Sequence, residues 1–129
     1  MQHNESLYPK DWFRIGDKEI KRAEILLNAN DLEGAGFNIQ QAVEKYLKGF
    51  LLSKGWSLRR IHELDSLLNN AVAYEPPLEE FREACLKITE YYLEERYPSA
   101  ISSKLSKREI TESLKVATKM IEKIRSITP

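Results

Sequence analysis

Phe37-Asn38-Ile39-Gln40-Gln41-Ala42-Val43-Glu44-Lys45-Tyr46-Leu47-Lys48-Gly49 has one wide apolar side and one polar side. Ile39, Ala42, Val43, Tyr46 and Phe50 recur at steps of three and four, which is the spacing of one helical side. Gln41, Glu44, Lys45 and Lys48 recur at the same steps on another side. The pattern predicts a helix, opened by an Asn30-Asp31 cap and running to about Lys54. Gly55 is placed to end it in the left-handed conformation.

Outward from this helix, the chain reads as further helices separated by a few breakers. Pro9 suits a first helical turn, and Trp12, Ile15, Ile20, Ala23, Leu26 and Leu27 form an imperfect stripe behind it. Residues 56–61 read as a loop. His62 to Leu68 reads as a short helix with Leu64, Leu67, Leu68 and Ala71 facing inward. Tyr74-Glu75-Pro76-Pro77 breaks the chain. The next helix carries Phe81, Cys85, Ile88 and Tyr92 as its apolar stripe and stops before Pro98. Ser106-Lys107-Arg108-Glu109 matches a capping box, followed by Ile110, Leu114, Ala117, Ile121 and Ile124. No alternating strand pattern occurs. The expected architecture is an all-α, antiparallel up-and-down four-helix bundle with an additional short helix, a single domain over 1–129.

Composition narrows the function classes. A chain of 129 residues with 42% hydrophobic and 31% charged residues is that of a soluble globular protein. Lys+Arg and Asp+Glu are both 20, and the zero net charge argues against a non-specific nucleic-acid coat. The charge is unevenly spread. Tyr74 to Arg96 holds seven acids and three bases, and Lys104 to Arg125 holds seven bases and three acids, which suggests attraction between those two helices. A single Cys85, expected to be a buried small hydrophobe, excludes an internal disulfide and a Cys-rich zinc site. No metal or other cofactor is expected, because no second His follows His62 at the helical step a zinc motif needs. No apolar run reaches membrane-spanning length and the first residues do not form a secretory signal, so the expected location is cytoplasmic.

Three blocks resemble the HEPN family over about Ala23 to Ile124: Gln40-Gln41-Ala42-x-Glu44-Lys45-x-x-Lys48, His62-x-Leu64-x-x-Leu67-Leu68, and Tyr92-x-x-x-Arg96-Tyr97-Pro98. The resemblance implies an up-and-down helical bundle that pairs as a homodimer. It also implies a two-component, toxin–antitoxin arrangement with a small nucleotidyltransferase. Many HEPN domains are metal-independent ribonucleases that carry an Arg, four to six intervening residues, then His. Here Arg96 stands at the Arg position, but no His follows it; the two histidines, His3 and His62, both precede it. Metal-free RNA cleavage needs a group that moves a proton near neutral pH and a cation on the developing phosphorane charge. Only the cation is retained in place.

Three functions follow. The first is a nucleotide-, RNA- or partner-binding domain, with Arg96, Gln41, Lys45, Lys48 and Tyr97 as ligand-binding candidates. The second is a ribonuclease using Arg96 with His62. The third is a purely structural dimerisation domain. At each position a plainer role competes. Gln41, Glu44, Lys45 and Lys48 would serve equally as an exposed stripe with a Glu44–Lys48 pair. His62 would serve as a cap on the third helix or bond a nearby carbonyl. Tyr92 would pack in the core with its hydroxyl bonded. Arg108, Lys115, Lys119 and Lys123 read first as a solvated face, and Gly34-Ala35-Gly36 as a close helix contact.

Overall fold

A computed structural model of the chain describes residues 6–96, with side chains through 92, and residues 105–129. Its helices are α1 (Pro9–Asn28), α2 (Leu32–Ser53), α3 (Leu64–Tyr74), α4 (Arg82–Arg96) and α5 (Lys107–Ile127), with a 3₁₀ turn at Pro76–Phe81 before α4. The fold is the all-α bundle expected, four long helices and one short. Among the described residues there is no strand, and no helix is long and apolar enough to cross a membrane.

Local chemistry sets the helix ends. Asn30 takes a positive φ of 64° after α1, and Asp31 Oδ1 then accepts from Gly34 N at 2.9 Å to open α2. Gly55, at φ 85°, ends α2, with its N–H bonded to Leu52 O and that of Trp56 to Leu51 O. Ser106 Oγ accepts from Glu109 N at 3.0 Å and opens α5. α3 departs from expectation. It begins at Leu64, and Leu64 N donates to Thr89 Oγ1 of α4 rather than to a cap on its own segment of chain. His62 therefore does not cap this helix.

α2 is the central element and packs against all four other helices. Ile39, Ala42, Val43, Tyr46, Leu47, Phe50 and Leu51 are fully buried there. Leu64, Leu67, Leu68, Phe81, Cys85, Ile88, Ile110 and Ile124 close around them. On α4 the buried tyrosine is Tyr91 rather than Tyr92: its hydroxyl lies 2.8 Å from Ser113 Oγ, and its ring packs where a Gly36 side chain would stand. Gly36 thus gives the close approach expected of Gly34-Ala35-Gly36. Among the described residues α1 contacts α2 and α5 alone, so its buried stripe narrows to Trp12, Gly16, Glu19, Ala23 and Leu27, and Ile15 is exposed.

Two further expectations resolve in detail. Burial pushes the Cys85 thiol up to about 12, and its sulfur lies 4.0 Å from that of Met120, the environment of an unreactive core cysteine. Among the described residues, the ion pair joining α4 to α5 is Lys87–Glu109 at 3.0 Å, a base on the acidic helix and an acid on the basic one. This pair is opposite in sense to the helices' net charges. Of the expected solvated face, Arg108, Lys115 and Lys119 are exposed and Lys123 is half-buried.

Candidate functional site around Glu44

Gln40, Glu44 and Lys48 stand four residues apart, on one line along α2. On a peripheral helix that line would face water. Here α1, the loop before α3 and α4 surround it, and all three residues are buried. The exposed-stripe reading is therefore overturned at Glu44 and Lys48, while their ion pair is present.

Glu44 is the hub. Its Oε2 takes the Lys48 ammonium at 2.9 Å and lies 3.7 Å from that of Lys45. Its Oε1 accepts from Gln40 Nε2 at 3.0 Å, and His62 Nδ1 lies 3.2 Å from both oxygens. Gln40 Nε2 also donates to the His62 carbonyl at 2.9 Å, and Gln40 Oε1 accepts from Gln41 at 2.7 Å. Both lysine ammoniums stand over the Trp12 ring, at 5.7 and 5.9 Å from its centroid. The Trp12 indole N–H is held by Ser6 O at 2.7 Å.

Burial by itself would raise the pKa of Glu44. The Lys45 and Lys48 charges, with hydrogen bonds from Lys48 and Gln40, outweigh it and hold the carboxyl below its ordinary value. The folded protein thus resists protonation that the unfolded chain accepts. The stabilisation is complete above the ordinary carboxylate value of about 4.3 and is lost as pH falls through the lower folded value. In Tm measured against pH, wild type should therefore lose its advantage over Glu44→Gln on acidification below about pH 4.3.

His62 forms the outer wall of the site. An ionised carboxylate only accepts, so Nδ1 carries the proton in the bond to Glu44, and a neutral ring then has its lone pair on Nε2. The ring stacks on Tyr92 at 4.9 Å and 16°, and Tyr92 stacks on Phe37 at 5.7 Å. A small cleft of about 80 Å³ opens beside His62, Glu63, Thr89 and Tyr92. Position 96 ends α4 four residues beyond Tyr92, one helical turn on. The side chain of Arg96, and Tyr97 altogether, lie outside the described residues.

Of the ligand-binding candidates, Lys45 and Lys48 come together with His62 around one carboxylate, and Gln41 joins them through Gln40. Gln40 and Trp12 are additions. The i, i+4, i+8 spacing of Gln40, Glu44 and Lys48 is a visible signal for the first. Nothing in the spacing of Trp12, on another helix, signals the second.

The HEPN domain model matches residues 9–127. The chain belongs to the HEPN family. Among curated proteins, Putative toxin MJ1304 of Methanocaldococcus jannaschii is 26% identical over 133 residues, which span 92% of this chain and 86% of that protein. Among solved structures, TT1696 from Thermus thermophilus superposes with a TM-score of 0.77 at 28% identity, covering 92% of this chain and 96% of its own. ST0689, an archaeal HEPN homologue, has the same TM-score at 21% identity over 95% and 98% of the two chains. The latter likeness concerns the fold alone. The HEPN bundle here is thus built around a buried charged cluster that opens at His62.

Proposed function

We propose that this HEPN domain is the toxin-like component of a two-component module, partnered by a small nucleotidyltransferase, and that its working face is the opening of the Glu44 cluster. There it binds a phosphate-bearing ligand, a nucleotide or an RNA segment. The observation carrying this reading is the convergence of Lys45 and Lys48 on a single carboxylate. Two cations against one anion leave a local positive excess, which suits a phosphate. The His62–Tyr92 stack beside it offers a flat aromatic wall for a base. The similarity to a protein named as a toxin supports the module. Homodimerisation and a cytoplasmic location remain part of the proposal.

The test is co-expression with the neighbouring gene, followed by native mass measurement of what co-purifies. A complex with a small nucleotidyltransferase is the expected product. A chain that purifies without any such partner would remove the module from the reading. Separately, Lys45→Ala should weaken RNA or nucleotide binding by about tenfold, the loss of one charge-assisted contact.

One observation favours a second reading, the ribonuclease. Glu44 orients the His62 imidazole as a carboxylate orients a general base, and the ring stacks on a residue one turn from position 96. In this reading His62 Nε2 takes the proton of the 2′-hydroxyl as its oxygen bonds phosphorus, Arg96 steadies the phosphorane, and the P–O5′ bond breaks with the 5′-oxygen taking a proton from water. RNA cleavage by purified protein, abolished in both His62→Ala and Arg96→Ala, is its signature. Absence of cleavage by wild type would leave the binding reading alone.

A further inference from the structure

His62 stands on a loop, not on a helix. Among the described residues, the backbone of 57–62 makes no hydrogen bond to another backbone group, and α3 begins only at Leu64. Trp56 and Ile61 pack against the core and set the path of the loop, but apolar contact of that kind does not fix where a neighbouring ring points. A loop so placed samples many conformations unless the scaffold ties it down. Two side chains do so. Gln40 Nε2 of α2 donates to the His62 carbonyl at 2.9 Å, and Thr89 Oγ1 of α4 accepts from Leu64 N at 2.9 Å. The two ties fall on either side of Glu63.

The anchors and the ring contacts are arranged alike on both helices. On α2, Gln40 holds the His62 backbone, and Glu44, one turn on, holds the ring through Nδ1. On α4, Thr89 holds the Leu64 backbone, and Tyr92, one turn on, stacks on the same ring. Gln40 is fully buried. Its Nε2 faces two groups that only accept, the His62 carbonyl and the Glu44 carboxylate, and its Oε1 faces the Gln41 amide. The partners thus fix the orientation of the Gln40 amide. Thr89 stands in the wall of the cleft of about 80 Å³ beside His62 and Tyr92.

We infer that Gln40 and Thr89 are positioning residues for His62. Together they hold its backbone where the ring meets Glu44 and Tyr92 at once. Nδ1 then carries the proton, and the neutral ring keeps its lone pair on Nε2. The opening therefore meets a hydroxyl or N–H group with an acceptor. The inference rests on the proposed function only in taking His62 as the working group; the positioning is a property of the free protein.

The tautomer of the His62 ring reads that positioning without any ligand. The chain has two histidines, His3 and His62, and His62→Gln assigns their signals. Long-range proton–nitrogen correlation spectra are recorded on labelled protein at a pH where both rings are neutral. Wild type should hold His62 in the Nδ1–H form. Thr89→Val keeps the side-chain shape and removes the acceptor, and Gln40→Met keeps the length and removes the donors. Each should shift the tautomer ratio about threefold to tenfold toward Nε2–H, the worth of one hydrogen bond. Thr89→Ser restores the acceptor and should keep the wild-type ratio. Amide spectra verify each fold, and Gln40→Asn, too short to reach both partners, replaces Gln40→Met if that variant does not fold. A wild-type ring in the Nε2–H form overturns the inference. So does an unmoved ratio in either the Thr89→Val or the position-40 variant, which would mean that Glu44 holds the ring unaided. A Thr89→Ser shift equal to that of Thr89→Val overturns it too, by assigning the effect to the methyl group. Absence of RNA or partner binding by wild type bears on the proposed function alone and leaves these ratios as they are.

Discussion

Glu44→Ala is expected to destabilise the protein by about 3–5 kcal/mol, the cost of stranding a buried charge. The substitution removes the acceptor shared by Lys48, Gln40 and His62. Lys48 then has an ammonium enclosed in the bundle with no carboxylate. At this chain length the loss corresponds to a fall in Tm on the order of 10–20 °C. A double-mutant cycle makes the cause specific. Glu44→Gln and Lys48→Met should together cost less than the sum of the two alone, by about 0.5–3 kcal/mol, because the second change removes the charge that the first strands. A Glu44→Ala Tm within a degree or two of wild type would mean that the cluster is solvated, as an ordinary surface pair is.

Gly16→Ala should also destabilise, against the sign of helix propensity. In an exposed helix this change gains about 1 kcal/mol. At Gly16 an added Cβ falls 2.5 and 2.7 Å from two atoms of the Tyr46 ring, and at Gly49 it falls 2.6 Å from Phe13. Those two rings are stacked on each other, and the Tyr46 hydroxyl is tied to Asp17 and Arg125. The obstructing ring is fully buried and cannot swing away. Overpacking should cost about 1–3 kcal/mol net, read as the denaturant midpoint at constant slope. Gly49→Ala should follow the same sign, and the double variant should depart from additivity because both changes press on one stack. A stabilised Gly16→Ala would show that α1 does not pack this closely on α2.

Much of the fold is legible in the sequence because helix ends and apolar stripes are local properties. Asp31, Gly55 and Ser106 terminate or open helices through bonds to residues within a few positions of themselves. The stripe of Ile39, Val43, Tyr46 and Phe50 needs only the helical repeat. Sequence reasoning fails where a side chain's surroundings come from another element. The α4 stripe puts Tyr92 in the core, but Gly36 admits Tyr91 there instead. Its place before a helix makes His62 a candidate cap, but Thr89 meets that amide and Glu44 takes the ring. The sequence reads Phe81 as part of the α4 stripe, but the structure places it in the 3₁₀ turn Pro76–Phe81 and begins α4 at Arg82.

The all-α class, the order of the helices and the HEPN kinship are already present in the amino-acid order, because periodicity, caps and motif order are written along the chain. That the polar line of α2 is interior follows from packing alone. A helix with polar residues on one side reads as peripheral until it is known how many neighbours it has, and α2 has four. That burial turns Glu44 and Lys48 from a weak exposed pair into a strong, pH-sensitive one, since removing water removes the screening. It also brings His62, eighteen residues away in the chain, onto the same carboxylate.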